Sequence, residues 1–262
     1  MITHIFGESQ RLRLRVAHLS DRGDRSGNED RLGMVHVEDR GLCCVLADGA
    51  GGHGHGALAA RLTVDTVLEG FGANPLFAPA GLASLISMAE QAVCGVQPSS
   101  ASRQHMSATI VLLTIETRTG RALWAHWGDS RLYWFRDGRV HRMTEDHSVV
   151  QQLLQAGIYR DEDPRQLPNR SVLAGAVGAQ SQVPPTVLGE AVALGCGDVV
   201  LLCSDGLWEN LLEAEMEAAL ARADGPEDWL DAMLAALKAK GRANQDNCSA
   251  LTVWALDNEP VN

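Results

Sequence analysis

The stretch VVLLCSDGLWEN (residues 199–210) is an apolar run that stops abruptly at Asp205-Gly206. A charged group beside a core is costly unless something pairs with it. The same arrangement appears far upstream in LCCVLADGAGGHGHGA (42–57), where Leu42 to Ala47 runs into Asp48-Gly49. One Asp-Gly alone is only a turn signal. Two of them, each closing a strand-like run, ask for a common explanation.

Working outward, RLRLRVAHLS (11–20) alternates Arg11, Arg13 and Arg15 with Leu12, Leu14 and Val16. Period two with one apolar face predicts a half-buried, antiparallel strand. Strand-like runs follow at Leu32 to Val37 and Leu42 to Ala47, then helical stretches at Ala57 to Phe71 and Ala80 to Val96. Further strands are SATIVLLTIE (107–116), RALWAHWG (121–128), and the pair RLYWF (131–135) and RVHRMT (139–144). Asp137-Gly138 between the last two is a tight hairpin signal. SVVQQLLQAG (148–157) reads as a short helix closed by Gly157. The charged, Pro-containing stretch Tyr159 to Asn169 reads as a mobile surface loop. DVVLLCS (198–204) is a strand, Glu213 to Ala239 holds two helices broken near Gly225-Pro226, and CSALTVWAL (248–256) is a last strand. Strands thus come in runs with helix pairs between them. That pattern favours α+β with antiparallel sheets over a doubly wound parallel fold.

At 262 residues and 45% hydrophobic, the chain can bury a sizeable core without disulfide staples. No long linker interrupts the apolar segments, so a single domain over 1–262 is expected. The first twenty residues hold no apolar stretch of the signal-peptide kind, and no run reaches the ~18 residues of a membrane span. The six cysteines include no Cys-x-x-Cys pair, and four lie in apolar runs, where Cys behaves as a small hydrophobe. They predict reduced core thiols in a cytoplasmic protein. A formal charge of −11 repels nucleic acid and anionic membrane. It is compatible with an anionic substrate only if bound cations invert the charge at the site.

Placed on this map, the acidic residues fall at strand ends. Asp48 and Asp205 end strands, NED (Asn28, Glu29, Asp30) lies just before the strand at Leu32, and Asp246 lies just before the last strand. Converging carboxylates raise one another's pKa. Divalent cations relieve the conflict, since Mg²⁺ and Mn²⁺ prefer carboxylate, carbonyl and water oxygens. Gly49 can offer its own carbonyl as a ligand. Two such ions about 3.5–4 Å apart can activate water and clamp an in-line displacement at phosphorus. Arg25, three residues before NED, is the candidate to grip the phosphate bidentately. Asp129 in WGDSR more simply orders backbone and Arg131, and Trp124, Trp127 and Trp134 read as core residues.

In this order, SDRGDRSGNED, LADGAGGHGHGA, MSATI, AHWGDSRLYWFRDG, EDHSVVQQLLQAG, LCSDGLWE and QDNCSALTV resemble the metal-dependent type 2C (PPM) Ser/Thr protein phosphatases, in their short bacterial form. The resemblance implies an α+β fold, the four-layer αββα sandwich of two antiparallel sheets flanked by helices. It implies hydrolysis of phosphoserine and phosphothreonine by metal-activated water, without a phosphoenzyme. Asp48, Asp205 and Asp246 become the catalytic carboxylates that hold two Mn²⁺ or Mg²⁺ ions, with Asp48 bridging and Gly49 giving a carbonyl. Glu29 and Asp30 act largely through metal-bound waters, Arg25 binds substrate phosphate, and a flap covers residues 158–170. The expected partners are phosphorylated proteins, targets of a cognate Ser/Thr kinase, with neither nucleic acid nor membrane; the chain is expected to be a monomer.

The match departs from the family pattern in three places. The chain is one residue short between Gly23 and Arg25. His105 stands where bacterial relatives often carry an Asp that the resemblance gives to a third ion. Ala50 follows the first Asp-Gly where some members have a His. His53 and His55 are then the histidines to weigh as proton donors, against the plainer view that they only lead a Gly-rich loop into a helix. Two other readings stand beside the phosphatase. One is a degenerate, phosphoprotein-binding module; the other is a metallohydrolase of small phosphate esters.

Overall fold

Alternate residues of the apolar runs face two different cores, and that division builds the layers. The computed structural model describes residues 4–6, 13–51, 55–97, 106–160, 162–241 and 243–257. The chain runs β1 (His4–Phe6), β2 (Arg13–Asp21), β3 (Asp30–Val37), β4 (Gly41–Ala50), α1 (His55–Ala73), α2 (Pro79–Gly95), β5 (Ser107–Ala108), β6 (Ile110–Glu116) and β7 (Arg121–Trp127). It continues with β8 (Arg131–Arg136), β9 (Arg139–Met143), α3 (Val149–Gln155), β10 (Thr186–Val187), β11 (Val192–Ala193) and β12 (Val199–Cys203). The last elements are α4 (Asp205–Trp208), α5 (Glu213–Leu220), α6 (Pro226–Ala239) and β13 (Cys248–Leu256).

One sheet has the order β1-β2-β13-β12-β8-β9; the other runs β10-β7-β6-β4-β3, with β11 on β7 and β5 on β4. Each ladder is antiparallel. In β4, Leu42, Cys44 and Leu46 point between the sheets, where they meet Leu14, Val16, Leu132, Trp134, Val200 and Leu251. Its other face, Cys43, Val45 and Ala47, packs under Ala60, Val64, Phe71 and Ile86 of α1 and α2. On the second sheet Leu201, Cys203, Tyr133 and Phe135 face Leu207, Met216, Trp229 and Met233 of α4 to α6. Helices, sheet, sheet, helices: the αββα sandwich follows from which face each side chain takes.

Asp137 (φ 52°) and Gly138 (φ 72°) make the expected hairpin turn, both in the left-handed region that a type I′ turn requires. Pro79 and Pro226 occupy first-turn positions of α2 and α6, where a missing N–H is harmless. Trp124, Trp127 and Trp134 are buried, as are Cys43, Cys44, Cys203 and Cys248, all as free thiols. Among the described residues no helix is long and apolar enough to cross a membrane.

The sequence reading missed β1, β10, β11 and α4, which have too few residues to display a period. It also took Tyr159–Asn169 for a mobile loop. Its described part instead contains a 3₁₀ turn, Pro164–Gln166, capped by Asp163 and anchored by Arg165. The Arg165 guanidinium donates to the Trp208 carbonyl (2.9 Å) and to Glu213 (2.7 Å).

Candidate metal centre

Strand ends from both sheets open onto one cleft. Asp30 begins β3 and lies directly opposite Asp48 on β4. Asp205 begins α4 immediately after β12, Asp246 precedes β13, and the turn after β7 carries Asp129. The backbone of Asp48 is fixed from both sides by Thr109, whose hydroxyl accepts the Asp48 N–H (2.9 Å) and whose own N–H donates to the Asp48 carbonyl (2.8 Å).

Asn247 organises the loop that bears Arg25 and Glu29. Its amide oxygen accepts the Glu29 N–H (2.8 Å), while its amide nitrogen donates to the carbonyls of Arg22 (2.8 Å) and Gly27 (3.0 Å). The two Asp-Gly pairs answer a steric demand. A Cβ at Gly49 would collide with the Gly56 carbonyl, and one at Gly206 with the Asn247 carbonyl. Only glycine lets these backbones approach so closely.

The resulting cleft, about 740 Å³, is lined by Glu29, Asp48, Gly49, Asp129, Asp205 and Asp246. Arg25 is the one cation among its described lining residues. Burial, and then repulsion from Asp205 and Asp30, holds the Asp48 carboxyl well above the usual range. Asp205 is pushed up to about 7, by burial first and by Glu209 and Asp246 next. Burial raises Asp30 to about 6, and burial followed by Asp205 raises Asp129. Asp30 stands one step back from the cleft: one oxygen accepts the Ser204 hydroxyl (2.8 Å), and the other is buried without a hydrogen-bond partner. Arg25 donates to Asp246 at 2.5 Å, and this bond raises the guanidinium pKa.

Among the described residues no three His, Cys, Asp or Glu side chains close on a single ion position. The donor set nevertheless fits hard divalent cations. It is all oxygen, strongly charged and short of counter-charge, and Mg²⁺ keeps several waters that leave protein ligands apart. Every site residue read from the sequence lines this cleft except Asp30, which lies behind it. Asp129 is the one the sequence reading set aside: its carboxylate lines the cleft within reach of Asp205's repulsion, and Arg131, which it was expected to order, is held by Asp146 instead. Its signal was its place at a strand end. Ala50 lines the cleft, His55 begins α1 and does not line it, and His53 and His105 lie outside the described residues. Ser171 and Leu173, at the end of the expected flap, form part of the wall.

A four-layer sandwich with a carboxylate-walled cleft at its strand ends is the frame of a metallophosphatase. The chain matches the protein phosphatase 2C family over residues 20–251 and belongs to it. It is 29% identical to a serine/threonine phosphatase, stp, of Listeria innocua over 240 residues, which span 89% of this chain and 93% of the relative. Its fold resembles that of the S. agalactiae serine/threonine phosphatase with a TM-score of 0.82, 24% identity and coverage of 92% and 99% of the two chains. The catalytic domain of the serine/threonine protein phosphatase PstP, solved in complex with 2 manganese ions, gives a TM-score of 0.75 at 27% identity, covering 93% and 99%.

Proposed function

We infer that this chain is a protein serine/threonine phosphatase, a hydrolase dependent on Mn²⁺ or Mg²⁺. One observation carries the reading: Asp48, Asp205 and Asp246, from three distant stretches, share one cleft with a single guanidinium. A pure binding module has no use for such mutual repulsion. Asp48, Asp205, Asp246 and the Gly49 carbonyl would hold two ions, with Glu29 and Asp30 acting through waters; Asp129 adds a carboxylate on the Asp205 side. When bound, such ions supply a water acidic enough to ionise near neutral pH and neutralise charge developing on phosphoryl oxygens.

The chain's own groups do the rest. Arg25, released from Asp246, grips the phosphate through parallel N–H···O bonds and sets its orientation. Thr109 keeps Asp48 in place. Ala50 cannot protonate the leaving serine or threonine oxygen, so that proton comes from another donor, with His53 of the adjoining Gly-rich loop the candidate in the sequence. The substrates are phosphoproteins. We further propose that they are targets of a cognate Ser/Thr kinase, and that the chain acts as a cytoplasmic, single-domain monomer. Asp48→Asn and Asp205→Asn test the assignment through phosphate release from a phosphothreonine peptide. Both should lose turnover with the fold retained, and wild-type rates in either would remove that carboxylate from the centre.

A further inference from the structure

Asp129 and Asp205 repel each other, yet the fold holds them on the same wall of the cleft. Trp208 joins the two. It belongs to the single helical turn that Asp205 begins, and its buried indole N–H donates to the Asp129 carbonyl (2.9 Å). The indole is itself fixed. The Arg131 guanidinium stacks 3.4 Å from its ring centroid and is locked by two 2.8 Å bonds to Asp146 and a 3.0 Å bond to the Tyr133 hydroxyl. Arg165, from the 3₁₀ turn Pro164–Gln166, bonds the Trp208 carbonyl.

The rest of the Asp129 turn is tied equally firmly. The Gly128 N–H donates to His147 Nδ1 (3.2 Å), and the Gly128 carbonyl accepts the His147 N–H (2.9 Å). The Ser130 hydroxyl is 2.7 Å from that of Thr109, the residue that holds Asp48. The indole bond is therefore the direct link between the Asp129 backbone and the Asp205 turn.

We propose that Trp208 is a positioning residue, whose indole N–H fixes Asp129 against Asp205 and so sets how tightly this wall of the cleft binds a divalent cation. The proposal rests on the metal-centre reading above. It names a role for this chain's own indole and adds no ligand.

The test uses metal-stripped protein and calorimetric Mn²⁺ titration, with circular dichroism to check each fold. Trp208→Phe keeps an aromatic ring under Arg131 while removing the donor and part of the ring volume, a loss that the Trp229→Phe control shares. Mn²⁺ affinity should fall about tenfold, equivalent to about 1.4 kcal/mol. The loss should vanish when Trp208→Phe is made in an Asp129→Asn background, because the two act as one unit. Trp229→Phe is the matched control, since its indole also donates to a backbone carbonyl, that of Met216 (3.0 Å), but away from the cleft. It should lower thermal stability and leave Mn²⁺ affinity unchanged. Unaltered affinity in Trp208→Phe, full additivity with Asp129→Asn, or an equal loss in Trp229→Phe would each overturn the proposal.

Titrating the wild-type chain with diamagnetic Mg²⁺ needs no variant to fold. The Trp208 indole N–H resonance should shift with the ion while that of Trp229 stays in place, and a Trp208 resonance that does not move would sink the idea. Wild-type protein that takes up neither ion would overturn the metal-centre reading itself, a failure separate from normal uptake by Trp208→Phe.

Discussion

Deleting one charge from the centre should make the metal-free protein more stable while destroying its response to metal. Lifting the Asp205 carboxyl from 3.8 to about 7 corresponds to roughly 4 kcal/mol of disfavoured charge once it ionises, at about 1.4 kcal/mol per pH unit. Burial is the larger part of that cost and Glu209, Asp246 and Asp30 add repulsion, so Asp205→Asn should recover a part, about 1–2 kcal/mol. The substitution is close in volume, and its amide can still hydrogen-bond Asp48, which Asp205 already contacts. In a chain of 262 residues, about 1 kcal/mol moves Tm by roughly 2–4 °C. Scanning calorimetry in EDTA at pH 8 should therefore place the variant ~2–8 °C above wild type.

The sign follows from proton linkage. A carboxyl with a raised folded pKa contributes stability below its unfolded value, and loses it as pH rises through about 7. The advantage of Asp205→Asn should accordingly shrink as pH falls from 8 towards 4. With saturating Mn²⁺ the order should invert. A ligand at a hundredfold its Kd adds about 2.7 kcal/mol to a protein that binds it, and only the wild type retains the full ligand set. An EDTA-treated variant less stable than wild type, or one that gains as much from Mn²⁺, would refute the reasoning.

Other expectations follow from the same contacts. Arg25→Ala should raise KM for a phosphopeptide more than it lowers Mn²⁺ affinity, as steady-state kinetics beside calorimetry will show; an unchanged KM would remove Arg25 from the phosphate site. Asp146→Asn leaves the buried Arg131 guanidinium half-paired, and should cost about 3–5 kcal/mol in urea unfolding. Gly206→Ala drives a methyl into the Asn247 carbonyl and should lower both stability and phosphate release, whereas Gly189→Ala, in open space, should change neither.

What the sequence disclosed was what local pattern controls. Leu42 to Ala47 and Val199 to Cys203 are apolar at every position because both faces of these central strands are covered, and the carboxylates that end them stood out for that reason. The Asp137-Gly138 hairpin was legible because a tight turn limits its residue types. Asp129 was not, since Asp-Ser-Arg reads as a turn, and the turn that presents it to the cleft is held by Trp208 on the Asp129 carbonyl and by His147 on Gly128, both outside its local window. The Arg25–Asp246 pair, the anchoring of Arg165 on Trp208, and the two- and three-residue strands were hidden likewise. Each depends on a partner that no local window contains.

The central claim is tested most directly by phosphate release from a phosphothreonine peptide, measured with Mn²⁺, without added metal and with EDTA. The account predicts release that rises with Mn²⁺, stops in EDTA and returns when Mn²⁺ is restored. Undiminished release in EDTA, or peptide binding with no release at any Mn²⁺ concentration, would contradict it.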